Sequence, residues 1–128
     1  MPLLLAYHTQ PAYSKAMKAL FVELPAFSRY REDYLDDERF RELQKSMLKN
    51  PEAGDVIEGT GGLRKLRHGD PRRGKGKRGG LRVIYYWWDG ARQFWLFTLY
   101  DKDEMGNLSS DEKKALKRML KDELEARR

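Results

Sequence analysis

Cysteine is absent from this chain of 128 residues, histidine is scarce, and long apolar runs are missing. Without cysteine the chain has no disulfide and no thiolate zinc site, a composition that fits a reducing cytoplasm. Its two histidines, His8 and His68, are too few for a histidine-built metal site, so we expect no metal and no cofactor. No apolar run approaches the ~18 residues of a membrane span. The short run at residues 3–5 has no basic residue before it, so it is a poor signal peptide.

The length and composition predict one globular domain. A chain of 128 residues corresponds to a single domain and is long enough to bury a core without disulfides. Hydrophobic residues make up 40% of the chain and aromatic residues 12%, which is typical of a folded rather than a disordered protein.

Positive charge is concentrated between Arg64 and Arg82. Nine of the 26 cations and only one of the 20 acids lie there. The net charge of the whole chain is +6, so the net charge of the rest of the chain is −2. Eight of the 11 glycines lie between Gly59 and Gly80, which makes the same stretch flexible. A flexible stretch with this concentration of positive charge indicates a polyanion as the binding partner. The alternative is a solvated basic connector. Five cations among the glycines are predicted to bind RNA backbone without reading sequence: Arg72, Arg73, Lys75, Lys77 and Arg78.

The first half of the chain predicts one strand and two helices. Ala19–Leu24 is a short apolar stretch typical of a strand, and aromatic residues at helical spacing predict a helix over Ala26–Leu35. Asp36 or Asp37 is expected to cap a second helix that stops before Pro51.

The second half predicts a sheet followed by a helix. Asp55–Glu58 and Leu63–Arg67 are short strand candidates, and Leu81–Trp88 is a strong one. An Asp-Gly turn then leads into a last strand at Gln93–Tyr100. A capping box at residues 109–112 is expected to start the final helix. We therefore predict an α+β domain of order β-α-α-β-β-β-α, with the helices on one face of a mainly antiparallel sheet of about four strands.

Four segments together resemble the RelE/HigB family of bacterial toxins, and specifically its HigB-like branch. They are FVELPAFSRYREDYL (21–35), GDVIEGTGGLRKLR (54–67), KGKRGGLRVIYYW (75–87) and FTLYDKDEM (97–105). Residues 1–16 match none of this pattern. We therefore expect a loosely ordered extension at 1–16 and a toxin domain at 17–128.

The resemblance implies a RelE-like, microbial-ribonuclease-type fold and the toxin of a type II toxin–antitoxin module. It implies a metal-independent endonuclease that cuts messenger RNA in the ribosomal A site by attack of a 2′-OH on the adjacent phosphate, and so stops translation. The implied partners are a cognate antitoxin, expected to be of helix-turn-helix type, the ribosome with its messenger RNA, and operator DNA through the antitoxin complex. The implied location is the cytoplasm.

The resemblance also implies roles for individual cations. Arg82 matches a basic residue used at the scissile phosphate, and Lys102 matches the basic residue after the last strand. Arg64, Lys65 and Arg67 match the basic pair on the preceding strand. Arginine stays protonated, so we expect Arg82 and Arg64 to clamp phosphate and Lys102 to stabilise charge or act as the acid. All are expected to be partly exposed, and alternation puts Lys65 and Arg67 on one face of the strand and Arg64 on the other.

The sequence specifies the general base and the general acid less clearly than the cations that clamp phosphate. Internal attack requires a base for the 2′-OH and an acid for the leaving 5′-oxygen. Lys65 and His68 are the candidates for the base. Lys65 is a candidate because neighbouring cations lower the pKa of a lysine. Some relatives use a tyrosine in the C-terminal helix, which this chain lacks, so Tyr86 and Tyr100 are the candidates to replace it.

Three other functions share parts of this pattern. A ParE-type gyrase inhibitor has the same ancestry without the RNase activity, and the strand cations favour the RNase. A non-catalytic RNA- or ribosome-binding module would explain the basic loop alone. A DNA-binding regulator is disfavoured because no helix concentrates basic residues for a groove.

Overall fold

The computed structural model describes the backbone of residues 8–13 and, in full, residues 18–69, 74, 76, 80–104 and 106–127. This part of the chain forms six strands, β1 (His8–Tyr13), β2 (Lys18–Glu23), β3 (Asp55–Val56), β4 (Arg64–His68), β5 (Leu81–Trp88) and β6 (Gln93–Asp101), and three α-helices, α1 (Pro25–Tyr34), α2 (Asp37–Lys49) and α3 (Ser110–Ala126).

The strands form one sheet in the order β1-β2-β6-β5-β4-β3. Every neighbouring pair is antiparallel except β2 and β6, which run parallel. The α+β class and the mainly antiparallel sheet are confirmed, but the expected count of about four strands is wrong. The strand candidate Asp55–Glu58 is present as the two residues of β3, whereas β1, which contains Pro11, lies in the predicted extension and was not expected as a strand.

The helix ends follow the capping residues in the sequence. α1 has Pro25 at its first position, where the missing N–H is tolerated. At α2 the Asp36 carboxylate accepts a hydrogen bond of 2.8 Å from the backbone N–H of Arg39. At α3 the predicted capping box of Ser109 and Glu112 is present in both directions.

Helices cover both faces of the sheet, which corrects the expectation that they pack on one face. We call the side under α1 and α2 the helix-pair face and the other side the α3 face. Val83 and Tyr85 of β5 pack in the cluster with the helix pair, while Ile84 between them packs in the cluster with α3. β5 and β6 are apolar at successive positions rather than alternating, as central strands buried on both sides are.

Six of the residues predicted to form a loose extension lie in β1, which pairs with β2 along its whole length, from His8 opposite Glu23 to Tyr13 opposite Lys18. Residues 1–7 and 14–16 lie outside the described part of the chain. The weak packing of the extension and the boundary after residue 16 stay predictions. None of the helices in the described ranges is both long enough and apolar enough to span a bilayer.

Candidate active site

Three of the predicted site residues form a row across the central strands on the α3 face. Arg67 of β4 pairs with Arg82 of β5, and Arg82 pairs in turn with Tyr100 of β6. Ile84 and Tyr86, two and four residues beyond Arg82 on the same strand, pack in the α3-face cluster, which fixes the face of the row. We call Arg67, Arg82 and Tyr100 the cross-strand row.

Arg82 is the most enclosed member of this row. The residue is 3% exposed. One guanidinium nitrogen donates to the carbonyl oxygen of Leu81 at 3.3 Å and to that of Gly80 at 3.5 Å. The expectation that Arg82 is partly exposed is therefore wrong. Its strand is flanked by β4 and β6 in a sheet that helices cover on both faces, so a side chain at this position is buried even when it is charged.

Tyr100 keeps its proton in this environment. The residue is 6% exposed, and burial raises the pKa of its phenol above the ordinary 10.0. The nearby Arg82 guanidinium lowers this pKa and the Glu112 carboxylate raises it, and both effects are smaller than that of burial. At neutral pH Tyr100 is therefore a hydrogen-bond and proton donor rather than a base.

Beside the row a groove of about 360 Å³ opens between the β3–β4 edge of the sheet and the start of α3. Three cations line it: Lys65 and Arg67 from β4, and Lys113 from the first turn of α3. None of these three side chains forms an ion pair within the described part of the chain. We call this the cationic groove. The sequence did not single out Lys113, because a lysine just after a helix cap is typical of a solvated face.

The cationic groove also carries groups that are not cations. Asp55 and Glu58 bring two carboxylates from the β3 side, and Asn107 brings an amide from the loop before α3. Val56 and Leu108 are among the apolar residues of its walls. The groove therefore contains donors, acceptors and apolar surface next to its positive charge.

Arg64 and His68 are not brought to this face. They pair with Tyr85 and Leu81, which belong to the helix-pair face. Arg64 donates hydrogen bonds of 2.8 Å to the carbonyl of Gly54 and 3.1 Å to that of Glu52, whose carboxylate it also meets at 3.6 Å. Its guanidinium thus holds the 52–54 loop against the sheet, away from Arg82.

Tyr86 and Lys102 lie near the cross-strand row without belonging to it. Tyr86 is half-buried on the α3 face, with its ring centroid 5.3 Å from that of Trp95. Lys102 directly follows Asp101 at the end of β6, and its backbone N–H donates to the carbonyl of Gly80 at 3.3 Å. Lys102 therefore lies at the same end of the sheet as Arg82, with an exposed side chain.

The five loop cations predicted to bind RNA, Arg72, Arg73, Lys75, Lys77 and Arg78, lie outside the described residues. Among the residues that the structure does describe, no three histidine, aspartate or glutamate side chains are grouped as metal ligands would be.

A comparison with models of protein families matches most of the chain. The model described as the RelE toxin of the RelE / RelB toxin-antitoxin system matches residues 25–128. The matched range includes all three helices, strands β3 to β6, and both the cross-strand row and the cationic groove.

Proposed function

The chain belongs to the RelE toxin family, and from that premise we propose that it is a messenger-RNA endonuclease of the HigB-like branch that stops translation by cutting messages on the ribosome. Members of this family are toxins of toxin–antitoxin systems and are generally ribosome-dependent RNases, so an antitoxin partner is implied as well.

The observation that carries the proposal is the cross-strand row beside the cationic groove. Like charges directly opposite on neighbouring strands destabilise a sheet, and Arg67 and Arg82 are opposite each other. A phosphate between or beside the two guanidinium groups would relieve that repulsion, because arginine presents paired N–H donors that match phosphate oxygens. Lys65 and Lys113 add positive charge along the groove that leads away from the row.

We assign the chemistry as internal transesterification. The 2′-oxygen forms a bond to phosphorus, the bond from phosphorus to the 5′-oxygen breaks, and the products are a 2′,3′-cyclic phosphate and a 5′-hydroxyl. Arg67 and Arg82 stabilise the extra charge of the phosphorane, where a well-placed donor contributes about 10²–10³ in rate. Lys65 in its neutral amine form accepts the 2′-OH proton, and Tyr100, which holds its proton at neutral pH, supplies one to the 5′-oxygen.

This assignment selects one base and one acid from the candidates that the sequence left open. Lys65 is favoured over His68 as the base because His68 lies on the helix-pair face. Tyr100 is favoured over Tyr86 because it pairs directly with Arg82. Lys102 remains the candidate for stabilising charge at the end of the row.

The partners follow from the same proposal. The loop cations are proposed to bind the RNA backbone, and a helix-turn-helix antitoxin is proposed to neutralise the toxin and to carry it to operator DNA. Cleavage on ribosomes places this activity in the cytoplasm.

The test is expression without an antitoxin, with growth, translation and the 5′-hydroxyl ends of cellular messages followed together. Wild type is expected to halt growth and to produce ends at codon-spaced positions, while Lys65→Ala does neither. Arg64→Ala is the matched control, because it removes the adjacent cation from the opposite face. Intact messages in growth-arrested wild-type cells would refute the proposal, and arrest that depends on gyrase would indicate the ParE type of activity instead.

A further inference from the structure

Lys102, the candidate for stabilising charge at the end of the cross-strand row, lies in a tight turn after β6. The backbone N–H of Glu104 donates to the carbonyl of Asp101 at 3.1 Å, which closes a four-residue turn with Lys102 at its second position. The Asp101 carboxylate also accepts from the N–H of Asp103 at 2.7 Å, and Asp101 itself is fully buried. The two bonds hold the turn 101–104 together as one unit.

One carbonyl oxygen joins this turn to Arg82. The Gly80 carbonyl accepts from the backbone N–H of Lys102 at 3.3 Å and from the Arg82 guanidinium at 3.5 Å. Arg82 is enclosed, so the position of its guanidinium depends on the carbonyls that it contacts. A shift of the turn 101–104 therefore displaces Lys102 and disturbs an acceptor of Arg82 at the same time.

A tyrosine on the helix-pair face holds the outer end of the turn. The Tyr34 hydroxyl, at the end of α1, donates to the Glu104 carboxylate at 2.9 Å. The Tyr34 ring packs against the helix-pair-face cluster, and the buried Leu35 anchors the same end of α1, so the hydroxyl is not needed to hold the helix. A hydrogen bond between exposed groups contributes little to the stability of a whole fold, so its effect is expected to be local to the turn.

We propose that Tyr34, acting through Glu104, is a positioning residue for Lys102 and fixes the turn 101–104 so that the Lys102 ammonium lies beside a phosphate bound at Arg82. This inference rests on the proposed RNase activity and adds a residue to it. Stabilisation of a phosphorane depends on the exact place of each charge, and a misplacement of about 1 Å caused by a distant substitution can cost about 10²-fold in rate. Helix α1 thereby contributes to a site that lies on the α3 face.

The test is single-turnover cleavage of one message on programmed ribosomes, with the toxin concentration varied to separate the maximal rate from the half-maximal concentration. Tyr34→Phe removes only the hydroxyl, and it should lower the maximal rate by about 5- to 100-fold and leave the half-maximal concentration within about 2-fold. Glu104→Ala should do the same, whereas Glu104→Gln keeps an acceptor for the hydroxyl and should retain most of the rate. Tyr30→Phe, one turn earlier on α1 and 41% exposed, is the control and should change neither quantity.

Two further measurements show whether Tyr34 acts through Lys102. Lys102→Ala alone should lower the maximal rate at least as much as Tyr34→Phe, and adding Tyr34→Phe to it should change the rate by less than ~2-fold, because the group being positioned is already absent. Hydrogen exchange tests the link without any activity. The Lys102 amide proton, which is bonded to the Gly80 carbonyl, should exchange faster in Tyr34→Phe than in Tyr30→Phe.

The outcomes separate this inference from the proposed function. If wild type cuts no message, the proposed RNase activity fails, and the positioning role fails with it. If wild type and Tyr34→Phe cut equally fast, or if Glu104→Gln is as slow as Glu104→Ala, the positioning role is wrong while the RNase stands. Multiplying effects of Tyr34→Phe and Lys102→Ala would show that Tyr34 does not act through Lys102, and unchanged exchange of the Lys102 amide would overturn the link through the turn.

Discussion

Arg67 lies directly across from Arg82 in the antiparallel pairing of β4 and β5. Two guanidinium groups at opposed positions of a sheet repel each other, and such an arrangement destabilises the fold by about 0.2–1 kcal/mol relative to a neutral pair. Under the proposed function, an anion bound beside the two side chains would reduce this repulsion, and local rules of stability are commonly broken at functional sites.

Arg67→Ala should separate stability from activity. Removing one member of the pair relieves the repulsion, so we expect the free energy of unfolding to stay the same or to rise by up to ~1 kcal/mol. Loss of a phosphate donor should lower the rate of message cleavage by about 10²–10³. Urea unfolding and cleavage assays on the same preparation measure both. A clear loss of stability together with full activity would contradict the assignment of Arg67 to the site.

Arg64→Ala should behave in the opposite way. Its guanidinium holds the 52–54 loop through the carbonyls of Glu52 and Gly54, and it lies on the helix-pair face. We expect the substitution to lower the free energy of unfolding by about 1–2 kcal/mol, a value reduced from that of buried charged hydrogen bonds by partial exposure. Cleavage per folded molecule should change less than ~3-fold, well below the loss for a phosphate donor. A loss as large as that of Arg67→Ala would place Arg64 back among the catalytic groups.

Arg82→Ala should both inactivate and destabilise. The residue is 3% exposed and its guanidinium donates to the carbonyls of Gly80 and Leu81, so truncation leaves a gap and removes one donor from each carbonyl. We expect a loss of about 1–3 kcal/mol in the free energy of unfolding. Arg82→Lys keeps the charge and most of the stem, and it is the better probe of activity in a folded protein. Arg118→Ala on the exposed side of α3 is the control, for which thermal unfolding should be unchanged.

Much of the fold could be predicted from sequence, because local signals agree with it. The apolar runs on β5 and β6 and the caps at Asp36 and Ser109 act within a few residues, and each element appears where its signal lies. The coverage of both sheet faces could not be predicted, since an apolar run shows that a strand is buried without showing what buries it. Edge strand β1 contains Pro11 and was not predicted, whereas the two residues of β3 lie within the predicted candidate Asp55–Glu58.

The site was predictable only in part, because it depends on contacts between segments that are distant in the sequence. The two-residue period of a strand correctly separates Lys65 and Arg67 from Arg64, and this depends on the sequence alone. Which face meets Arg82 depends on the pairing register, and the approach of Lys113 depends on where α3 crosses the sheet. Such relationships between distant segments leave no local signal.

Tyr85→Phe should loosen the loop that precedes the site. The Tyr85 hydroxyl donates to the carbonyl of Pro51 at 2.8 Å and accepts from the backbone N–H of Gly54 at 3.0 Å. Removing the hydroxyl leaves both backbone groups without this partner, for which we expect a loss of about 1–3 kcal/mol in the free energy of unfolding. Tyr30→Phe, on a side chain that is 41% exposed, is the control. Equal stabilities of the two variants would show that the bridge contributes nothing.

The Tyr100 phenol should lose its proton at a higher pH than an ordinary tyrosine, and the stability of the fold should therefore decrease at alkaline pH. Burial raises its pKa above 10.0 in the folded protein, while in the unfolded chain the phenol returns to its ordinary value. For a group with a raised folded pKa, the stabilising contribution is complete below the unfolded pKa and is lost as pH rises through the folded one. Wild type should therefore lose stability above pH 10, and Tyr100→Phe should lose less.

The measurement is an ultraviolet titration of tyrosinate, with the Tyr100→Phe curve subtracted from that of wild type to isolate one phenol. Tyr85, whose pKa is also raised chiefly by burial, is present in both proteins and cancels in the difference. Because the Arg82 guanidinium lowers the pKa of Tyr100, the same subtraction in an Arg82→Gln background should move the midpoint to higher pH. A wild-type midpoint at or below 10 would mean that burial does not dominate, and the predicted loss of stability through Tyr100 above pH 10 would be overturned.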